Sequence, residues 1–366
     1  MALPVIRSIA ECTDYSKTVL PYIAQLYDLP QQIFENITNL QALKVLYVST
    51  NPLISAFAFS LFLFPIFLVV SEINRNYSQV DRCWSVLPTL YNAHFTAYAH
   101  ATGLSTRRLD MLLLFSTFWS ARLTYNYWRK GGYSIGSEDY RWDVLKEYIS
   151  PPLFFIFNVV FISLAQSILL FLVATPTYVL LLSTKSTPAW TTADVVFSRA
   201  WGFLVFLAFY ADGQQWSESC YLSVGFWTIT SLTARILAYH SAKKEYQETA
   251  KVPKCFDQET LDRGFNTTGL WAYSRHPNFA AEQSVWVLLY GWSCWVTQTY
   301  YNWSIIGAVA YLILFQASTW FTELISARKY PEYKEYQKRV GKFLPKLPGG
   351  PPGNFSDQRV SKQVVK

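Results

Sequence analysis

"LISAFAFSLFLFPIFLVVS", residues 53–71, contains no charged side chain. A helix needs about 20 mainly apolar residues to cross the hydrocarbon core of a bilayer, and this stretch is the clearest such run in the chain. Working outward, further windows repeat the pattern. Met111–Trp128 is apolar apart from Arg122, and Pro152–Ala174 has no charge. Trp201–Ala211 ends at Asp212, Ala280–Thr299 carries only Glu282, and Trp303–Phe321 carries none. These windows predict an all-α, polytopic membrane helix bundle of about seven transmembrane helices, near 53–71, 84–102, 109–129, 152–174, 197–216, 280–299 and 303–325. The second is the weakest, since it holds Asn92, His94 and His100. Such a helix is expected to turn its polar groups into the bundle, because lipid offers them no partner.

Bulk numbers alone do not give this answer. The 366 residues are 51% hydrophobic and 18% aromatic, yet the mean hydropathy is only +0.13. The distribution decides. The net charge of +7 falls in loops and the C-terminal tail, which points to topology and anionic membrane lipids rather than to nucleic acid. The five cysteines are scattered without a CxxC pair, so neither a metal site nor a disulfide framework is suggested. Residues 1–50 read as a partly amphipathic lead-in rather than a cleavable signal. Residues 51–347 form the transmembrane domain, and the Gly/Pro-rich, then polar, stretch 348–366 reads as a disordered tail.

The segment after Glu323 is strongly basic, so by the positive-inside rule it is cytosolic. Counting back through seven spans makes the N-terminus lumenal and puts 72–83, 130–151 and 217–279 on the cytosolic side. The connection 175–196 is then a Ser/Thr-rich lumenal loop. Arg107 and Arg108 also fall lumenal, against the rule. The short "TYYNW" (299–303) makes its two flanking helices antiparallel neighbours, and its Asn302 sequon lies too near the membrane for a glycan. An apolar run at 221–239, if it crossed the membrane, would reverse the parity.

The chemistry concentrates in "GLWAYSRHPNFAAEQSVWVLLYGW" (269–292). Pro277 suits the first turn of a helix. A helix starting at His276 or Pro277 offers unpaired N–H groups and a positive dipole end, an anion site flanked by Arg275 and His276. Asn278 and Glu282 are four apart and share a face. Glu282 lies a turn inside the span, where an ionisable group is a functional candidate. The bland readings are a headgroup contact for Arg275 and an internal salt bridge for Glu282. Asp212 in "FYADGQQW" (209–216) is either a helix-end charge in water or a ligand contact. "DRCWS" (81–85) and "GGYSIGSEDYRWD" (131–143) are polar clusters without phosphate-loop spacing, and Arg122 needs a partner within the bundle. "KYPEYKEYQKRVGKFLP" (329–345) reads as an interfacial helix or as a cap over a cofactor.

Taken in order, "DRCWS", "SEDYRW", "YADGQQW", "GLWAYSRHPNF…E" and "KYPEYKEYQKRVGKFLP" resemble the DUF1295 membrane proteins, relatives of the steroid 5α-reductase C-terminal domain, over about residues 50–347. The element around "RHPNF" is similar in steroid reductases, sterol reductases and isoprenylcysteine carboxyl methyltransferases. The resemblance implies a seven-helix enzyme of the endoplasmic reticulum, with its C-terminus cytosolic. It would bind NADPH and reduce a C=C bond of a steroid-like or lipid enone. It implies that Asn278 and Glu282 contact the nicotinamide end. Arg275, His276, Tyr273, Asp212, Glu323 and Arg328 would hold the rest of the cofactor. Glu138 and Tyr140 are the assignments for the substrate-polarising acid and tyrosine. Residues 217–241 look like an insertion relative to the family, and Ala280-Ala281 replaces a common Phe-Gly. The alternatives are an S-adenosylmethionine-dependent membrane methyltransferase, using Glu323, and a non-catalytic protein of the same fold.

Overall fold

The structure, a computed structural model, describes residues 2–216, 246, 248–249, 251, 262–267 and 269–346. The proposed insertion at 217–241 and the 348–366 tail lie outside the described residues. Among the described residues every regular element is a helix, and the single β contact is an isolated bridge between Ser274 and Gly341. Helices form at all seven expected positions: Pro52–Asn74, Leu87–Ala101, Arg107–Arg129, Pro151–Ser183, Thr192–Trp216, Pro277–Thr297 and Ile305–Lys329. Four stretches are long and apolar enough to cross a membrane by themselves: Pro52–Asn74, Pro151–Ser183, Thr192–Gln214 and Ile305–Lys329. On the first of these, Phe59, Phe62, Ile66, Val69 and Ile73 are all exposed. Their alternating spacing of three and four draws one apolar stripe along the helix, the face a membrane protein turns to hydrocarbon.

The chain divides into two compact units. One comprises Met1–Val205 and Gln283–Leu314, the other Phe206–Glu282 and Phe315–Lys366.

In the first unit, local chemistry sets the helix ends. Asn51 accepts from Leu53 N at 2.9 Å and Pro52 fills the first turn, so the Pro52 helix starts there. It stops where Arg75 turns left-handed, with Asn76 N returning to Ser71 O at 3.2 Å. Asn92 is fully buried. Its Nδ2 donates to Ser116 Oγ at 3.0 Å and its Oδ1 accepts from Thr177 Oγ1 at 2.7 Å. The Leu87–Ala101 helix thus turns Asn92 inward, as its composition requires.

Two expectations need correction. The stretch read as a lumenal loop from 175 is helical through Ser183, and all nine residues Thr175–Ser183 are buried. Pro176 restarts the helix after the break at Ala174, and the polar letters are satisfied locally. Thr175 Oγ1 donates to Leu172 O and Ser183 Oγ to Leu180 O, each at 2.7 Å. Arg108, out of place by the charge rule, is not a topology signal. It is buried and forks onto Asp194, Nε to Oδ1 at 2.7 Å and Nη2 to Oδ2 at 2.9 Å, with Nη1 on Ser183 Oγ. Trp292 Nε1 adds a third donor to Asp194 at 2.9 Å.

The hairpin between Thr297 and Ile305 is as tight as its sequence suggests. Gln298 adopts φ +54° and Thr299 N closes on Cys294 O at 3.0 Å. Asn302 Nδ2 donates to Ser293 Oγ while its Oδ1 accepts from Ser304 N. The amide a sugar would occupy is committed to the turn.

Candidate functional site

The site lies in the second unit, where the end of the Thr192–Trp216 helix meets residues 264–282. The "DGQQW" end is tied to this stretch by three bonds. Gln214 Oε1 accepts from Leu270 N at 2.9 Å, Gln214 O from Asn266 Nδ2 at 3.0 Å, and Ala211 O from Trp271 Nε1 at 3.3 Å. This brings Asp212 and Asn278 together: Asn278 Nδ2 donates to Asp212 Oδ1 at 3.0 Å. Asp212 is buried. The helix begins at Pro277, as expected, and the Asn278 side-chain Oδ1 turns back to accept from Phe279 N at 3.0 Å. The first-turn donor that sequence logic offers to an external anion therefore meets Asn278 itself. Glu282, one turn further in, is buried.

Arg275, His276 and Glu323 form a second, adjoining cluster, all buried. Arg275 Nε lies 2.6 Å from Glu323 Oε1 and its Nη2 3.1 Å from Oε2, while His276 Nε2 reaches Oε1 at 3.0 Å. A carboxylate only accepts, so this contact fixes the neutral imidazole with its proton on Nε2. Burial pushes the His276 imidazole below its usual range, outweighing the attraction of Glu323. The remaining Arg275 donors go to backbone: Nη1 to Gln337 O at 3.1 Å and to Val340 O. Main chain completes the clasp. Arg275 N donates to Gly341 O at 2.9 Å and His276 N to Lys342 O at 3.1 Å. Arg275 and His276, read from sequence as hands for an external anion, are here turned onto residues 337–342.

That C-terminal segment is packed rather than peripheral. The Tyr333–Arg339 helix buries Tyr333 and Tyr336 against Phe265, and Tyr336 Oη donates to Trp271 O at 2.5 Å. Tyr333 and Tyr336, three apart on this helix, thus face protein. Tyr273 and Arg328 are exposed. Thr319, one turn before Glu323, is fully buried with no hydrogen-bond partner for Oγ1 among the described residues. An orphaned hydroxyl beside a charged cluster is where a polar ligand group fits.

Sequence reasoning missed Gln214, Trp271 and Thr319. The first two were visible only as letters inside quoted motifs. Thr319 had one signal, its spacing of four from Glu323.

Glu138 and Tyr140 belong to the first unit, where "DRCWS" and "SEDYRW" pack on each other. Trp142 Nε1 donates to Asp81 Oδ2 at 2.9 Å. Glu138 accepts from Tyr77 N on one oxygen and from Lys146 Nζ on the other, both at 2.7 Å. Arg141 holds Asp139 with two contacts of 2.8 Å. Tyr140 is half-exposed. Burial holds the Asp81 carboxyl above its usual range, with Arg141 opposing and Asp139 adding to the shift.

A family model described as a protein of unknown function, DUF1295, matches residues 67–340. The chain belongs to the DUF1295 family. An uncharacterized protein of Schizosaccharomyces pombe is 35% identical to this DUF1295 chain over 351 residues, covering 95% of it and 94% of the yeast protein. No solved structure matches it.

Proposed function

We propose that this DUF1295 protein is a membrane-embedded, NADPH-dependent reductase of a C=C bond in a lipid or steroid-like enone. The observation that carries the reading is the pairing of Asp212 with Asn278 at 3.0 Å beside the buried Arg275–His276–Glu323 cluster. Charged groups at this depth in an apolar helical protein are costly, and are retained where they bind or position something. The resemblance to steroid reductases names the cofactor.

In this reading the Asp212–Asn278 pair and Glu282 orient the nicotinamide end. Thr319 supplies a further polar contact. Exposed Tyr273 and Arg328 meet the outer part of the cofactor, Arg328 as a planar fork suited to phosphate. Arg275, His276 and Glu323 act one step back: they pin residues 337–342, and so set the wall of the site. Bound NADPH supplies the hydride. The chain supplies the proton that completes the reduction. The resemblance assigns that step to Glu138 or Tyr140; both Glu138 oxygens already accept hydrogen bonds. A methyltransferase would use Glu323 toward a cationic methyl donor; its commitment to Arg275 and His276 argues for the reductase.

The test is ligand binding by purified protein in detergent, followed by tryptophan quenching with NADPH and with S-adenosylmethionine. NADPH should quench and S-adenosylmethionine should not. Glu282→Gln and Asn278→Ala should each weaken the NADPH response at least tenfold. A response to S-adenosylmethionine alone would replace the reductase with the methyltransferase; a response to neither favours a non-catalytic role.

A further inference from the structure

Five Asn-x-Ser/Thr sequons occur in the chain, at Asn36, Asn76, Asn266, Asn302 and Asn354. The structure sorts them. Asn76, Asn266 and Asn302 are buried, and each spends its amide nitrogen inside the fold: on Ser137 O, on Gln214 O, and on Ser293 Oγ with Cys294 Sγ. A sugar on any of them would replace a bond that holds the fold. Asn354 lies outside the described residues. Asn36 differs. It is the last residue of the Gln25–Asn36 helix, and Ile37 and Thr38 continue it as an exposed turn. Its Nδ2 donates to Gln32 O, one turn back on an exposed helix end, at 2.8 Å. That contact is lost by fraying a terminal turn, with no long-range consequence.

Orientation favours it as well. Tyr27 and Phe34 are exposed apolar residues on this amphipathic helix. Asn36 follows Phe34 by two positions, so it projects about 200° round the helix from that ring, with exposed Ile33 and Ile37 nearer to it. Beside it, Gln32, Asn39 and Gln41 line a shallow groove. Their carboxamides offer both donors and acceptors, suited to sugar hydroxyls. The residues ahead of the Pro52 span are lumenal when the basic tail is cytosolic and the crossings are odd in number.

We propose that Asn36 is an N-glycosylation site, and that its glycan marks the lumenal side of the chain. A lipid-linked oligosaccharyl pyrophosphate is the donor. The anomeric C–O bond breaks, a C–N bond forms to Asn36 Nδ2, the lipid pyrophosphate leaves with the electron pair, and one amide proton is released. Thr38 is the recognition hydroxyl of the sequon. The inference rests on topology and is independent of the reductase reading.

The full chain, expressed in eukaryotic cells, is run on denaturing gels with and without peptide N-glycosidase. One discrete enzyme-sensitive step in mobility is expected. It disappears in Asn36→Gln and in Thr38→Ala, and survives in Thr38→Ser. Absence of a step in the wild type overturns the proposal. So does a step that persists in Asn36→Gln but is removed by Asn354→Gln, which would put the tail in the lumen.

Discussion

Replacing Arg108 with Met would strand the Asp194 carboxylate in a place water does not reach. Removing one partner of a buried pair typically costs about 3–5 kcal/mol. Arg108→Met should therefore lower the thermal midpoint in detergent strongly, and adding Asp194→Asn should recover more than half of the loss. No recovery in the double variant would mean that the pair is not what holds these helices. Asp81 makes the opposite case. Its carboxyl is held above the usual range by burial, so the folded chain holds that proton more tightly than the unfolded one. This contribution favours folding at low pH and is lost as pH rises from the ordinary carboxyl range through the raised one. Asp81→Asn keeps an acceptor for Trp142 and removes the desolvated charge. Its midpoint should exceed the wild type's at pH 7 and converge with it near pH 4; a lower midpoint at pH 7 would contradict the account. None of this was legible locally. Arg108 and Asp194 are far apart in sequence, and no periodicity announces a pairing made by tertiary packing.

At the scale of elements, the apolar windows marked where helices form, because lipid-length runs leave the backbone few other choices. They failed where polar letters were satisfied at short range. Thr175 and Ser183 return their hydroxyls to carbonyls of their own turns, so a Ser/Thr-rich stretch is buried helix and not loop. The Arg275 motif was legible as an anion site for the converse reason: its real acceptors, Glu323 and the carbonyls of Gln337 and Val340, come from elsewhere in the chain. This clasp yields a sharp test. Glu323→Gln leaves Arg275 buried with its charge uncompensated, at about 3–5 kcal/mol. Gly341→Ala attacks the same clasp from the backbone, since a Cβ there would run into Leu344 O. Both variants should open the 337–346 segment to trypsin at Lys338, Arg339 and Lys342 well before the rest of the chain is cut. Equal cleavage of wild type and variants would show that the clasp does not hold the segment.

For the whole molecule, the division into two units makes ligand binding locally readable. A ligand present at 100 times its Kd stabilises the state that binds it by about 2.7 kcal/mol. Hydrogen exchange with NADPH at that level should slow amides at 211–214, 269–282 and 315–342, while those around Arg108 and Asp194 keep their rates. Slowing confined to the latter region would move the site out of the second unit altogether. The sequence carried the class of the molecule and named the stretches that meet at the candidate site. It did not show that the basic and acidic residues of those stretches bind each other.

The clasp also has a consequence in time. Arg275 and Glu323 are joined to the chain before Gln337 and Val340 are. At about 5–20 residues per second, the stretch from Glu323 to Val340 takes about one to three seconds to make. Until that stretch has been made and has left the ribosome, the guanidinium lacks its backbone acceptors. The second unit cannot close until residues 337–342 are in place, so a message cut short between residues 329 and 337 would release a chain whose last long helix is complete and whose polar centre is still open, a ready substrate for membrane quality control.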